Sequence, residues 1–177
     1  MIRDVNPSLV AMLGYDPCEI IGKNINEFIC PSDRAAVADS IANDGNRLLE
    51  IKLMKKDGTM FLAEVEGKVM GTAGLKLRMA AVRDITKRKQ TEDALKDKDT
   101  EIRKAAAKAY GRCDPDDTDA VQTLIDLMKN DKEDAVKMSA AFGLQAMGEK
   151  SKVAVKEMLE VAKSMKNDKD SKQLKRL

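Results

Sequence analysis

Residues 98–177 repeat themselves at an offset of 34, and that self-similarity restricts the fold more tightly than anything else in the chain. Ile102 falls on Val136, Arg103 on Lys137, and the pair Ala106-Ala107 on Ala140-Ala141. Further along, Ala120 falls on Ala154, Val121 on Val155, Leu124 on Met158 and Ile125 on Leu159. Apolar residues recur at helical spacing within each unit, which predicts helices at about 100–112, 118–129, 134–147 and 152–166. Asp99, the run Asp114-Pro115-Asp116-Asp117, and Gly148 supply the start and stop signals. A helix pair of this kind cannot bury its apolar face alone and stacks on its neighbours as an α-solenoid. Only two units are complete, and the tail from Asn167 to Leu177 stops short of a third. A helix expected at 88–97 is therefore predicted to cap the stack.

Ahead of about residue 97 the period changes, and seven of the ten glycines and every strand-like run lie there. Leu9, Val10, Met12 and Leu13 form a short helical face that stops at Gly14, and Asp16-Pro17 opens another that ends at Gly22. Pro31-Ser32-Asp33 starts a third helix through about Ala42, broken by Asn43-Asp44-Gly45. Leu49, Ile51 and Leu53 then alternate with Glu50 and Lys52, the period-two pattern of a strand with one dry face. Lys56-Asp57-Gly58 predicts a hairpin turn, and a second strand follows over about Met60–Glu66. Gly71 to Gly74 turns the chain into a third strand, Leu75–Ile85, with Leu77, Met79 and Ala81 on one side. The expected fold is an α+β domain over 1–87, a connecting helix at 88–97, and an all-α solenoid over 98–177.

The residues that are missing narrow the chemistry. With no histidine, a phosphoaccepting histidine, a Ser-His-Asp triad, a Cys-His pair and a mixed Cys/His zinc site are all excluded. Trp is absent and aromatics are 3%, which removes the stacking platforms of single-strand nucleic-acid binders. Basic and acidic side chains balance at 32 and 30, so no phosphate-binding footprint is present and no nucleic acid is expected. Cys18, Cys30 and Cys113 lack CxxC spacing and read as small apolar residues, and the eleven methionines read as core filler. The acidic run around Asp114–Asp119 lacks the glycine and glutamate of a calcium loop, so no metal site is expected. No apolar stretch approaches the roughly 20 residues of a membrane helix, and the first residues do not form a signal peptide. These absences predict a cytoplasmic, non-enzymatic protein that uses no membrane, while carboxylate chemistry survives them.

The first half resembles a PAS sensory domain. The matching residues are Val5-Asn6-Pro7, Leu13-Gly14-Tyr15 with Glu19-Ile20-Ile21-Gly22-Lys23, and Pro31-Ser32-Asp33-Arg34. They continue with Glu50, Lys56-Asp57-Gly58-Thr59, and Val82-Arg83-Asp84-Ile85-Thr86 ahead of Lys87-Arg88-Lys89. The resemblance implies a sensor or dimerisation module whose closing Asp84-Ile85-Thr86 passes a signal to the next helix. Such domains begin with two strands before the Asn-Pro helix, and these are expected to be lacking here. The strand 75–85 is then left with an open edge, at which Leu75, Leu77, Met79 and Ala81 are the residues expected to pair in a homodimer, unless another element covers them. The missing strands also remove much of a pocket wall, and the flavin-binding subfamily's Asn-Cys-Arg-Phe motif is absent, so no cofactor is expected.

The second half resembles short HEAT repeats of the phycobilisome-lyase type. The carrying pattern is Ile102-Arg103-x-x-Ala106-Ala107-x-Ala109-Tyr110-Gly111, preceded by Leu95-Lys96-Asp97-Lys98-Asp99. Some HEAT-like proteins are described as bilin lyases, but no catalytic constellation supports that activity here. The resemblance implies a partner groove along the inner helices. Its candidates are Gln122, Asp126 and Lys129, with Lys156, Glu160 and Lys163 on the equivalent face, and their mixed charges predict a protein partner. The function expected is a signalling adaptor with a regulatory or self-associating first half and a protein-binding second half. The alternative is a switch holding a small molecule between the strands and the helix at 32–42.

Overall fold

The computed structural model describes residues 1–43, 48–72, 75–113 and 118–164. The chain divides into two compact units, Met1–Thr86 and Lys87–Leu177.

In the first unit each short helix begins where a polar side chain meets unpaired amides. The Leu9 amide donates to Asn6 Oδ1 at 2.8 Å ahead of α1 (Pro7–Leu13), and Gly14, at φ 75°, closes it. Glu19 Oε2 accepts from the Asp16 amide at 2.9 Å at the start of α2 (Pro17–Ile20). Two 3₁₀ turns, Ile25–Glu27 and Pro31–Asp33, lead to α3 (Arg34–Ala42). Three antiparallel strands follow in the order β1 (Leu48–Met54), β2 (Met60–Thr72) and β3 (Leu75–Asp84). The β1–β2 hairpin is tied by Asp57 Oδ1, which accepts from the amide and the hydroxyl of Thr59, and Gly58 takes φ 83°.

β2 outruns its expected end at Glu66. The apolar alternation lapses at Gly67-Lys68, but the backbone ladder to β3 continues to Thr72 opposite Leu75. Ile51, Leu53, Phe61 and Ala63 form the dry face and pack with Leu13, Ile20, Phe28 and Ile29. The far side of β1 is occupied as well. Cys30 donates to the Lys52 carbonyl, Met54 to that of Phe28, and the Lys52 amide to Asp33 Oδ2 at 2.7 Å. Among the described residues β3 therefore lies at the edge of the sheet. The expected break at Asp44-Gly45 and the turn residues 73–74 lie outside the described residues.

The second unit consists of α4 (Thr86–Ala94), α5 (Thr100–Cys113), α6 (Thr118–Asn130), α7 (Asp134–Ala146), a 3₁₀ segment (Gly148–Ala154) and α8 (Val155–Ser164). Two expected bounds shift. The helix placed at 88–97 runs from Thr86 to Ala94, because the amides of Lys96 and Asp97 close a tight turn and Asp97 Oδ1 takes the Asp99 amide at 2.8 Å. The last helix starts as a 3₁₀ segment, where the Ser151 hydroxyl donates to the Gly148 carbonyl. Leu95 and Ala94 pack into the repeat core with Ala107, Tyr110, Leu124, Met128, Ala141 and Leu144. The expected caps at Asp114–Asp117 and the tail 167–177 lie outside the described residues.

The helix pairs touch through their smallest residues. Ala107 and Gly111 are one turn apart on α5 and face Gly143 on α7. A Cβ on Gly111 would overlap the Gly143 carbonyl, and one on Gly143 would overlap the Ala107 carbonyl. Backbone meets backbone there, and neither side can yield as a flexible side chain would. Gly143→Ala is expected to destabilise the protein by about 1–3 kcal/mol through overpacking. Thermal unfolding followed by circular dichroism reads that as a Tm lower by several degrees, and an unchanged Tm would show that the two helices separate freely.

Candidate functional site

The strand-to-helix joint is built on Leu62 of β2. The Ile85 amide donates to the Leu62 carbonyl at 2.9 Å, and the Leu62 amide donates to Thr86 Oγ1 at 3.0 Å. Thr86 in turn donates its amide to Asp84 Oδ1 at 2.9 Å, and Ile85 is only 2% exposed. The three residues singled out from the sequence thus act together. Asp84 turns the chain, Ile85 anchors it, and the Thr86 hydroxyl holds the first residue of α4 to the sheet.

At the sheet edge, Leu77 and Met79 are 40% and 60% exposed, and Ala81 is exposed beside them. They stand in register with Met70, Lys68 and Glu66 of β2, so Met70 extends the same apolar face. The side chain of Leu75 lies outside the described residues. On the inner face Arg78 reaches across to α3, donating to the carbonyl of Ser40 at 3.3 Å and to its hydroxyl at 3.2 Å. Its guanidinium lies against Gly67, where a Cβ would stand 2.5 Å from Nε. An arginine side chain therefore fills part of the space between strands and α3 in which the alternative reading puts a small molecule.

On the helical unit, Gln122, Asp126, Lys129, Lys156, Glu160 and Lys163 are all exposed. Gln122 Nε2 donates to Asp126 Oδ1 at 2.9 Å. Lys129 lies 3.8 Å from Glu157, so the two inner helices are joined through a residue the sequence did not single out. Among the described residues no group of three His, Cys, Asp or Glu side chains could hold a metal ion, and no helix is long and apolar enough to cross a membrane.

The sequence reading assigned no role to Arg103, yet this arginine is 6% exposed and makes four hydrogen bonds. Nε and Nη2 donate to the two oxygens of Asp131 at 2.8 and 3.2 Å, and Nη1 to the carbonyls of Asp97 and Lys98. Asp131 also accepts from the Glu133 amide at 2.9 Å. The start of α5 is thereby fastened to the turn between α6 and α7. A signal was present, since Arg103 shares a helix face with Ala106 and Ala107, where an unpaired cation would be costly. Burial pushes the Asp131 carboxyl up, but the bonds from Arg103 and Glu133 and the arginine's charge outweigh it and hold it below its ordinary value. The Arg103 guanidinium is raised in return, chiefly by its bond to Asp131.

Residues 1–87 match the PAS domain family and residues 75–171 match HEAT repeats. A sensing module ahead of a helical repeat is thus the class of protein the architecture defines. The chain belongs to the HEAT-repeat family and carries a PAS domain in front of its repeats. It is 34% identical over 94 residues to the methyl sulfide methyltransferase-associated sensor of Methanosarcina acetivorans, a match covering 51% of this chain and 9% of that relative's length. Among solved structures it is similar to a PAS domain from Colwellia psychrerythraea, at 24% identity and a TM-score of 0.43 over 48% of this chain and 77% of that one. It is also similar to a sensory box histidine kinase/response regulator from Burkholderia thailandensis, at 28% identity and a TM-score of 0.41 over 51% of this chain and 73% of that one.

Two outcomes test this geometry. Thr86→Val keeps the shape of the side chain but leaves the Leu62 amide without its acceptor, a loss of about 1–3 kcal/mol. Faster hydrogen exchange at Leu62 is the expected reading, and unchanged protection would show that the hydroxyl does not hold the joint. For Asp131 the folded value is depressed, so its contribution is complete above the unfolded carboxyl value of about 4 and fades as pH falls through the folded one. The Tm gap between the wild type and Asp131→Asn should therefore narrow as pH falls below about 4. A gap independent of pH would show that the Arg103 pair does not stabilise the repeat.

Proposed function

We propose that the chain is a non-enzymatic signalling adaptor, in which the PAS domain self-associates or is regulated and the HEAT repeats bind a protein partner. The observation that carries the reading is the hold of Thr86 and Ile85 on both backbone groups of Leu62. A shift of β2 has a hydrogen-bonded route to Thr86, the first residue of α4. The relative named as a sensor supports a sensory role. Exposed side chains of mixed sign on α6 and α8 suit a protein surface better than a phosphate backbone.

Self-association is assigned to β3. An edge strand offers unpaired backbone groups to another chain, and Leu77, Met79 and Ala81 give this one an apolar flank. A ligand-binding switch is the weaker reading, because Arg78 already bridges the sheet and α3. The test is size-exclusion chromatography with light scattering on the wild type and on Met79→Lys, a change at an exposed position that blunts an edge. A smaller species for the variant is expected. Equal masses would remove β3 as the contact, and a small molecule retained on native mass spectrometry would favour the switch.

A further inference from the structure

The two repeat units agree on one helix face and part on the next. Ala120, Leu124 and Met128 of α6 are buried, and so are their equivalents, Ala154 at the end of the 3₁₀ segment and Met158 and Ala162 of α8. On the adjacent face Val121 and Ile125 are 5% and 6% exposed, whereas Val155 and Leu159 at the same repeat positions are 51% and 43% exposed. The residue types match, so the difference lies in what stands beyond them. α7, the 3₁₀ segment and α8 pack onto α6, and no described element stands beyond α8. The second unit therefore presents a seam of the kind that the first unit buries.

The charges beside that seam indicate what fits it. Lys156 and Glu160 are exposed one turn apart, next to Val155 and Leu159. Laid antiparallel on a copy of itself, such a helix brings each Lys156 to the other copy's Glu160, while each Val155 meets the other's Leu159. The nearby Lys152 is already paired with Glu149 in its own chain and adds little repulsion. We infer that α8 is an isologous docking surface for a second copy of this chain, with Val155 and Leu159 as its apolar seam and Lys156 and Glu160 as its reciprocal ion pairs. This contact is independent of the β3 edge.

The test uses the full chain carrying Met79→Lys, so that edge pairing is suppressed, in light scattering over a range of concentrations. A dimer is expected, and adding Leu159→Glu should make it monomeric with unchanged helical circular dichroism. Lys156→Glu alone and Glu160→Lys alone should each raise the dimer Kd by about tenfold or more, and the two together should restore it. A monomeric Met79→Lys chain overturns the inference, whether the seam is then free, covered by residues 165–177 or kept for another protein. So does a dimer that ignores Leu159→Glu, or a double reversal that fails to rescue. If the wild type and Met79→Lys have equal mass while Leu159→Glu is monomeric, the edge reading fails and this one stands.

Discussion

Two helices can bring their backbones into contact only where side chains almost vanish, and the repeat unit depends on one such place. At Ala107, Gly111 and Gly143 the carbonyls of one helix occupy the room a Cβ would need on the other. That approach brings α5 against α7, so that Tyr110, Leu124 and Leu144 close a single core with the flanking helices. It also brings the turn after α6 within reach of Arg103. The Arg103–Asp131 pair is thus a consequence of the packing as well as a lock upon it. A buried arginine at that site is tolerable only because a carboxylate and two carbonyls are delivered to it together.

The sheet unit is held on a different principle. Its core is small, and much of its order comes from polar side chains returning to nearby amides: Asn6 to Leu9, Asp57 to Thr59, Asp33 to Lys52. Lys56 joins the hairpin to α2 through Glu19 at 2.6 Å and lies over the ring of Tyr15. Such bonds fix turns and strand ends one at a time. They leave β3 with only β2 beside it among the described strands, tied across the inner face by Arg78 to Ser40.

How far each part could be read in advance follows from the range of the interaction involved. The helix pairs were legible because their apolar residues recur every 34 residues, and the hairpin because Asp57-Gly58 permits one kind of turn. The end of β2 was not, since its last residues are held by a ladder to β3 and show no alternation of their own. Asp84, Ile85 and Thr86 were picked out by resemblance, but the bonds of Ile85 and Thr86 to Leu62 span 23 and 24 residues of sequence and no local pattern shows them. Arg103 and Asp131, 28 residues apart, are the same case. Arg78 reads as a solvated strand cation until Gly67 opens the space for it to cross to Ser40.

The joint restricts what kind of signal the first unit could transmit. Its contacts to β2 include the Asp84–Ala63 rung of the ladder and two hydrogen bonds to the backbone of Leu62, one given and one received, which weaken steeply with displacement and angle. A change that only repacks side chains on the inner face would leave them intact. A change that slides or twists β2 against β3 would not, because both bonds share one residue and would be strained together. In the proposed signalling role, sheet motion is therefore the input to which this joint is suited, and the proposed pairing of the edge strand β3 would supply it.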